Sequence, residues 1–282
     1  METTLRRTDE IARAYLVAEP TIAQRIVRAK RTLSDAGVPF EVPHGDDRGE
    51  RLASVLDVIY LVFNEGYAAT AGGDWIRPQL AEEALRLGRS GERAPLWIAA
   101  KMQTAGRGRR GRSWVSEPGN LYASLLLSDP STPDRFPELS FVAALALHDA
   151  VTARIPGLAG RVALKWPNDL LIDRNKFAGI LVEGEGTTVV IGLGVNCVHH
   201  PDGTEYPATD LAAAGVRATP ESLFPHLSAA MLTRLAQWDR GAGFPAIRTD
   251  WLARAAGVGK PVRIKTADRE LAGLFEGMDG SG

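Results

Sequence analysis

The sequence predicts an α+β protein in three parts: an all-helical segment over 1–90, a mixed-sheet domain over 91–257 and an incomplete C-terminal β unit over 258–282. Three observations carry that prediction. Apolar residues recur at helical spacing as far as residue 89. From residue 96, short runs rich in Val, Ile and Leu are bounded by Gly, Pro, Asn and Asp, the pattern of strands and turns. Between 91 and 114 there are six basic side chains against one acidic, with glycines at 106, 108 and 111, so a charged loop opens the second part.

In chain order, 8–17 places Ile11, Tyr15 and Leu16 on one helical face behind the N-cap candidate Thr8. Pro20 breaks it, and Thr21 caps a second helix that Gly37 and Pro39 end. Residues 41–49 read as a polar linker, 52–63 and 78–87 as further helices. Strands are expected at 96–101, 121–127, 162–166, 170–173, 177–183 and 188–195, and helices at 139–155, 220–238 and 246–256. Residues 262–266 and 271–277 read as the first strands of a small barrel that the remaining residues are too few to close.

The 282 residues suit one large or two ordinary domains. With 45% hydrophobic and 24% charged residues, the composition is that of a globular protein and excludes a wholly disordered chain. The net charge of −1 gives no reason to expect non-specific nucleic-acid binding by the whole molecule. Cys197 is the one cysteine, so no intrachain disulfide forms, and no apolar run approaches the ~20 residues of a membrane span. The N-terminus carries no hydrophobic signal core, and a reducing, cytoplasmic setting is expected.

Two short helices over 8–33 with a tight break form a helix-turn-helix pattern. Arg25, Arg28, Lys30 and Arg31 on the second helix are candidates for phosphate contacts. By spacing alone, any helical hairpin with a charged outer face reads the same way. The stretch TDEIARAYLVAEPTIAQRIVRAKR at 8–31 resembles the promoter-reading helix-turn-helix of extracytoplasmic-function sigma factors. RLASVLDVIYLVFNE at 51–65 resembles the helical extension of one subgroup. The resemblance implies DNA or RNA polymerase as partners, yet no stretch matches the upstream domain that grips polymerase in a working sigma factor.

The loop QTAGRGRRGRSW at 103–114 alternates glycines, which allow close backbone approach, with arginines, whose planar forks suit phosphate and carboxylate oxygens. A loop so charged is expected to be mobile until an anion neutralises it; on its own it also reads as a nucleic-acid tether. KWPND follows at 165–169, then KFAGILVE at 176–183 and IGLGVN at 191–196. Taken singly these are a turn, a strand-end lysine and a glycine pair. In this order, with GNLYAS at 119–124, they resemble the catalytic domain of biotin protein ligases, a fold shared with lipoate ligases. The resemblance covers about 95–282.

That resemblance implies ATP-dependent ligation of biotin to a lysine of the biotin carboxyl carrier protein of acetyl-CoA carboxylase, with ATP and Mg2+ as co-substrate. Lys176 and Arg109 would be the catalytic cations. Gln103, Arg107, Gly108, Arg109, Arg112, Trp114 and Lys176 would bind biotin and its adenylate, Trp114 near the adenine. Asn168, Asp169 and Asn196 would organise ATP and magnesium. A homodimer is among the assemblies that the family implies.

Two departures stand out. Family members carry Ser-Thr-Asn about twenty residues before the glutamine; here that region, 77–86, reads RPQLAEEALR, which implies weaker hold on biotin's polar edge. The chain reads as a fusion made inside the first strand and helix of the catalytic domain. Cys197, His199, His200 and Asp202 crowd together, but their spacing matches no common zinc site, and no metal is assigned to them. A DNA-binding regulator that senses biotin, and an inactive fusion product, remain as alternatives to the ligase.

Overall fold

The computed structural model describes residues 76–77, 79–204, 206–265 and 270–280. The chain divides after Trp75 into two compact units, 1–75 and 76–282, and every described residue belongs to the second. The helix-turn-helix at 8–33 with Arg25, Arg28, Lys30 and Arg31, and the helix predicted at 52–63, lie outside the described residues.

Six strands make the main sheet: β2 (Leu96–Ala100), β4 (Leu121–Ser128), β5 (Val162–Lys165), β6 (Asp169–Ile172), β7 (Asn175–Glu185) and β8 (Thr188–Val195). Their order is β2-β4-β8-β7-β6-β5. The expectation of a mixed sheet is corrected here, because every one of these pairings is antiparallel. Consecutive strands β5 to β8 are joined by turns too short for a crossover. Asp173 and Arg174, both at positive φ, form the two-residue turn between β6 and β7. The parallel pairing is a separate two-residue contact of β1 (Ile76–Arg77) with β3 (Met102–Gln103).

Each face of the sheet takes a different cover. On β4 the residues alternate, and Leu125 lies opposite Trp97 of β2, whose ring meets Phe224 edge-on at 5.2 Å. Phe224 belongs to α3 (Pro220–Trp238), so that face carries the helix layer, with α2 (Glu138–Arg154) and α4 (Phe244–Leu252). Helix α2 buries eleven residues, including Phe141, Val142 and Leu145, and so reads as a core helix rather than an amphipathic one. Phe141 stacks edge-on against Phe244 and Trp251 of α4. Thr219 and Ser222 close a capping box at the start of α3, ahead of Pro220.

The opposite face holds Tyr122, Ser124 and Leu126, together with Gly179, Gly192 and Gly194. It is covered in part by α1 (Leu80–Arg89), where a Cβ on Gly88 would stand 3.3 Å from Leu126 and 2.9 Å from Thr188. The sequence reading grouped this helix with the N-terminal segment; it packs on β4 and β8 of the sheet unit. Past α4, β9 (Pro261–Lys265) and β10 (Glu270–Leu274) pair as a two-stranded antiparallel sheet. No closed barrel is present among the described residues. The Arg248 guanidinium of α4 donates to the Met278 carbonyl and ties the tail back to the helix layer.

One charged cluster locks the helix layer. Arg234 of α3, 9% exposed, donates to Asp149 of α2 at 2.7 Å and to Asp250 of α4 at 2.5 Å. Burial alone would raise the pKa of Asp149, but hydrogen bonds from His148 and Arg234 outweigh it and hold the carboxyl below its ordinary value. Removing one partner of a fully buried pair costs ~3–5 kcal/mol; Asp149 keeps 31% of its side chain exposed, so the expected cost here is smaller. Arg234→Met should therefore lower urea-measured stability by about 2 kcal/mol at neutral pH. The stabilisation from the depressed Asp149 pKa is present above the unfolded carboxylate value near pH ~4 and is lost as pH falls below it. The Arg234→Met variant should lose less stability than the wild type across that acid range, and equal slopes would refute the assignment.

Candidate functional site

The site begins with an irregularity in β7. Asp169 pairs with Gly179 and Leu170 with Ala178, but Leu171 then pairs with Lys176, leaving Phe177 without a partner on β6. This is a β-bulge, and it reverses which face the next side chain takes. Phe177 is fully buried. Lys176 consequently falls on the face of Gly179 and Asp169, with its Cε 3.5 Å from where a Gly179 Cβ would be. Its Nζ lies 2.5 Å from Asp169 Oδ1, near enough for an ion pair although not aligned as a hydrogen bond. The backbone of Lys176 is held on its other side by Pro207 and Thr209.

Trp114 lies on the same face. Its indole rests against Gly194 and Gly179, where an added Cβ would come within 2.7 Å and 3.0 Å of the ring. Lys176 Nζ stands 5.2 Å from that ring's centroid, in the range of a cation–π contact. The indole N–H is buried and has no hydrogen-bond partner among the described residues. The glycine pair thus takes up part of the ring's surface and makes Trp114 part of the cavity's floor.

The arginine loop is a short hairpin. Trp114 N–H donates to Gly106 O at 2.8 Å and Gly108 N–H to Arg112 O at 2.7 Å, around a 3-10 turn at Arg109–Gly111. Gly106 admits no side chain, since a Cβ would lie 2.5 Å from Trp114 O and 2.6 Å from Ser116 Oγ. Arg107 Nη2 reaches Glu183 Oε1 of β7 at 3.0 Å. With the Gln79 amide turned so that its oxygen faces Arg107, the same guanidinium donates to it at 2.9 Å. An acidic side chain of the chain itself thus pairs with the first arginine of the loop.

Gln103, Arg107, Gly108, Arg109, Arg112, Trp114, Lys176, Asn168, Asp169 and Asn196 all line one cavity of about 1250 Å³. That volume exceeds the ~300–1,000 Å³ of a usual small-ligand pocket and suits a nucleotide and a second ligand side by side. The polar side chains are not all available. Gln103 Oε1 accepts from Leu80 N–H at 3.0 Å and its Nε2 donates to Ser116 Oγ at 3.2 Å. Asn168 Nδ2 donates to Ile180 O at 2.6 Å and Asn196 Nδ2 to Thr209 O at 3.1 Å, so both amides brace strands. Asp169 Oδ1 is buried and makes no aligned hydrogen bond, and the Lys176 ammonium 2.5 Å away is its ion-pair partner. A magnesium ion typically takes one or two carboxylates together with substrate phosphates, and Asp169 would be the carboxylate here, shared with that lysine.

The sequence reading did not single out several residues that the fold brings here. Gln79, Leu80, Ala81 and Ser124 line the cavity. Their signal was slight, because three of them stand at a helix start and one inside a buried strand. Asn120 is a brace: its Oδ1 accepts from the backbone N–H groups of Cys197, Val198 and His199 at 2.8–3.2 Å. Burial pushes the Cys197 thiol up to about 12. His200 Nδ1 sits 2.6 Å from the buried Asp210. Among the described residues no three His, Cys, Asp or Glu gather as a metal-holding group.

The biotin/lipoate A/B protein ligase family matches residues 79–196, and a family of unknown function matches residues 51–97. The biotin--[acetyl-CoA-carboxylase] ligase of Paracoccus denitrificans is 42% identical over 211 residues, covering 71% of this chain and 87% of that protein. An uncharacterized protein of Rhizobium meliloti is 54% identical over 80 residues, 28% of this chain and 19% of that protein. Among solved structures, the biotin protein ligase from Aquifex aeolicus in complex with biotin and ATP matches with a TM-score of 0.63. The match covers 72% of this chain and 87% of that one at 23% identity, a likeness of fold. Identity above two-fifths across most of the Paracoccus enzyme goes further: this chain belongs to the biotin/lipoate A/B protein ligase family.

Proposed function

We propose that the chain ligates biotin to a lysine of a biotin carboxyl carrier domain through biotinyl-5′-AMP. The observation that carries this reading is the convergence of Lys176, Asp169, Trp114 and the arginine hairpin on one cavity. In the first step a biotin carboxylate oxygen attacks the α-phosphorus of ATP; the new P–O bond forms as the bond to pyrophosphate breaks. In the second, the acceptor lysine's neutral amine attacks the acyl carbon, a proton leaves the nitrogen, and AMP departs. Negative charge gathers on phosphoryl oxygens in both steps, so fixed cations in a partly enclosed cavity are the expected catalysts.

Lys176, on the floor and oriented by Asp169, is suited to the reacting carboxylate and α-phosphate. Arg109 and Arg112, at the hairpin tip, are suited to the outer phosphates. Arg107 acts in this reading as the hairpin's anchor to Glu183 rather than as a ligand clamp. Magnesium bound with the triphosphate would neutralise phosphate charge, and Asp169 is the carboxylate suited to hold it.

The N-terminal segment over 1–90, which the sequence patterning reads as helical, is a second element of the reading. Its pattern at 8–31 supports a sigma-like helix-turn-helix, with DNA as the partner that Arg25, Arg28, Lys30 and Arg31 would meet. Among the described residues no helix is long and apolar enough to cross a membrane. The lone cysteine supports a cytoplasmic setting, and a homodimer belongs to the same proposal.

ATP–pyrophosphate exchange should rise on adding biotin and not on adding lipoate. Lys176→Ala should lose ~10²–10³ in exchange rate, the usual loss on removing one preorganised electrostatic donor. A loss below about threefold would take Lys176 out of the mechanism. For the helical segment, duplex DNA should bind the full chain at physiological salt and release on Arg25→Ala with Arg28→Ala. Retention by that double variant, or a salt slope identical for all sequences, removes specific recognition from the reading.

A further inference from the structure

The arginine hairpin has little of its own to hold it together. Its arms meet through Trp114 N–H to Gly106 O, Gly108 N–H to Arg112 O and one antiparallel bridge between Arg107 and Ser113. A lone two-stranded hairpin is at best marginal in water. This one also crowds Arg107, Arg109, Arg110 and Arg112 into one turn, where like charges repel.

Arg107 is tied to two elements outside the hairpin. Its Nη2 donates to Glu183 Oε1 of β7 at 3.0 Å. With the Gln79 amide turned, the same nitrogen donates at 2.9 Å to the N-cap residue of α1. Glu183 shares a face of β7 with Gly179 and Leu181. Leu181 lines the cavity, whereas Glu183 does not. Its side chain is 25% exposed, and its Oε2 is buried without a hydrogen bond. Were Arg107 to leave for a substrate phosphate, this carboxylate would lose its counter-ion in a place that water reaches poorly. The pair is therefore favoured over a phosphate clamp.

We infer that Glu183 is a positioning residue for adenylation: acting through Arg107, it supplies the negative charge that sets the hairpin over the floor. Substrate binding then does not have to supply the ordering of that segment. Glu183 touches neither substrate. This rests on the ligase reading above and deepens it. Loss of the pair shifts the ordering cost onto the binding of both substrates, so both KM values rise while kcat, read at saturation with the hairpin down, stays. The pair is partly exposed, so salt weakens it.

The test compares the full chain with Glu183→Gln, Arg107→Gln and the double variant, each checked by a thermal melt. Trypsin cleavage within the hairpin is timed without substrates and then with ATP and biotin together. Exchange kinetics are read at about 0.05 M and about 0.5 M salt. Without substrates, Glu183→Gln should be cut about three- to tenfold faster than the wild type, and substrates should restore protection. Its KM for both biotin and ATP should rise about three- to tenfold with kcat within about twofold, and at high salt the two chains should converge. In the double variant the second substitution should add less than about twofold, because the pair is already broken. Equal cleavage of wild type and Glu183→Gln overturns the proposal, as does a fall in kcat larger than the rise in KM. Should Glu183→Gln fail to fold, Glu183→Asp takes its place, with faster cleavage again expected and unchanged cleavage again fatal. A wild-type chain that runs no biotin-stimulated exchange overturns the ligase reading, and this proposal with it; unchanged cleavage in an active enzyme sinks this proposal alone.

Discussion

One extra residue in a strand organises the site. In an unbroken β7, Lys176 and Ala178 would share a face, and Ala178 pairs with the buried Leu170. The lysine would then point towards the helix layer, where an unpaired ammonium is strongly disfavoured. The bulge at Phe177 moves the aromatic ring into the core and the amine to the opposite face in a single step. Asp169, directly across from Gly179, is left in reach of that amine. The two groups assigned to the reacting carboxylate and the metal are thereby neighbours because of strand register, not because of sequence proximity.

Trp114 depends on the same register. A ring of that size lies flat on a sheet only where cross-strand neighbours lack side chains, and Gly179 and Gly194 are such a pair. The tryptophan holds down one end of the arginine hairpin, and Arg107 holds the other through Glu183. The buried indole N–H has no hydrogen-bond partner, and one buried oxygen of each of Asp169 and Glu183 makes no hydrogen bond although each carboxylate is ion-paired, to Lys176 and Arg107. Such groups gather where a ligand or ordered water is meant to complete them. Here all three surround the hairpin and the floor it covers.

The helix α1 is where the two family matches overlap, at residues 79–97. Its first turn offers Leu80 and Ala81 in place of a polar triplet, and Gln103 turns inward to satisfy the Leu80 N–H. The absence of Ser-Thr-Asn was visible in the sequence, and so was its expected effect on the polar edge of the pocket. That Gln103 Oε1 would meet the Leu80 N–H was not visible, because it follows from a helix start and a strand end meeting in space 23 residues apart.

The sequence by itself determined the type and order of most elements: 188–195 and 220–238 fall where apolar patterning places them. Ordered motifs also sufficed to point to the family and to the residues gathered at the cavity, since adenylate chemistry leaves a recognisable run of glycines, arginines and a lysine. What only the tertiary structure decided was which of those side chains remain available. Asn168 and Asn196 each commit an amide N–H to a backbone carbonyl, whereas Ser124 sits inside a strand and lines the cavity. The physical reason is that the partner each polar side chain meets is set by pairing register and helix docking, which no local stretch of sequence encodes.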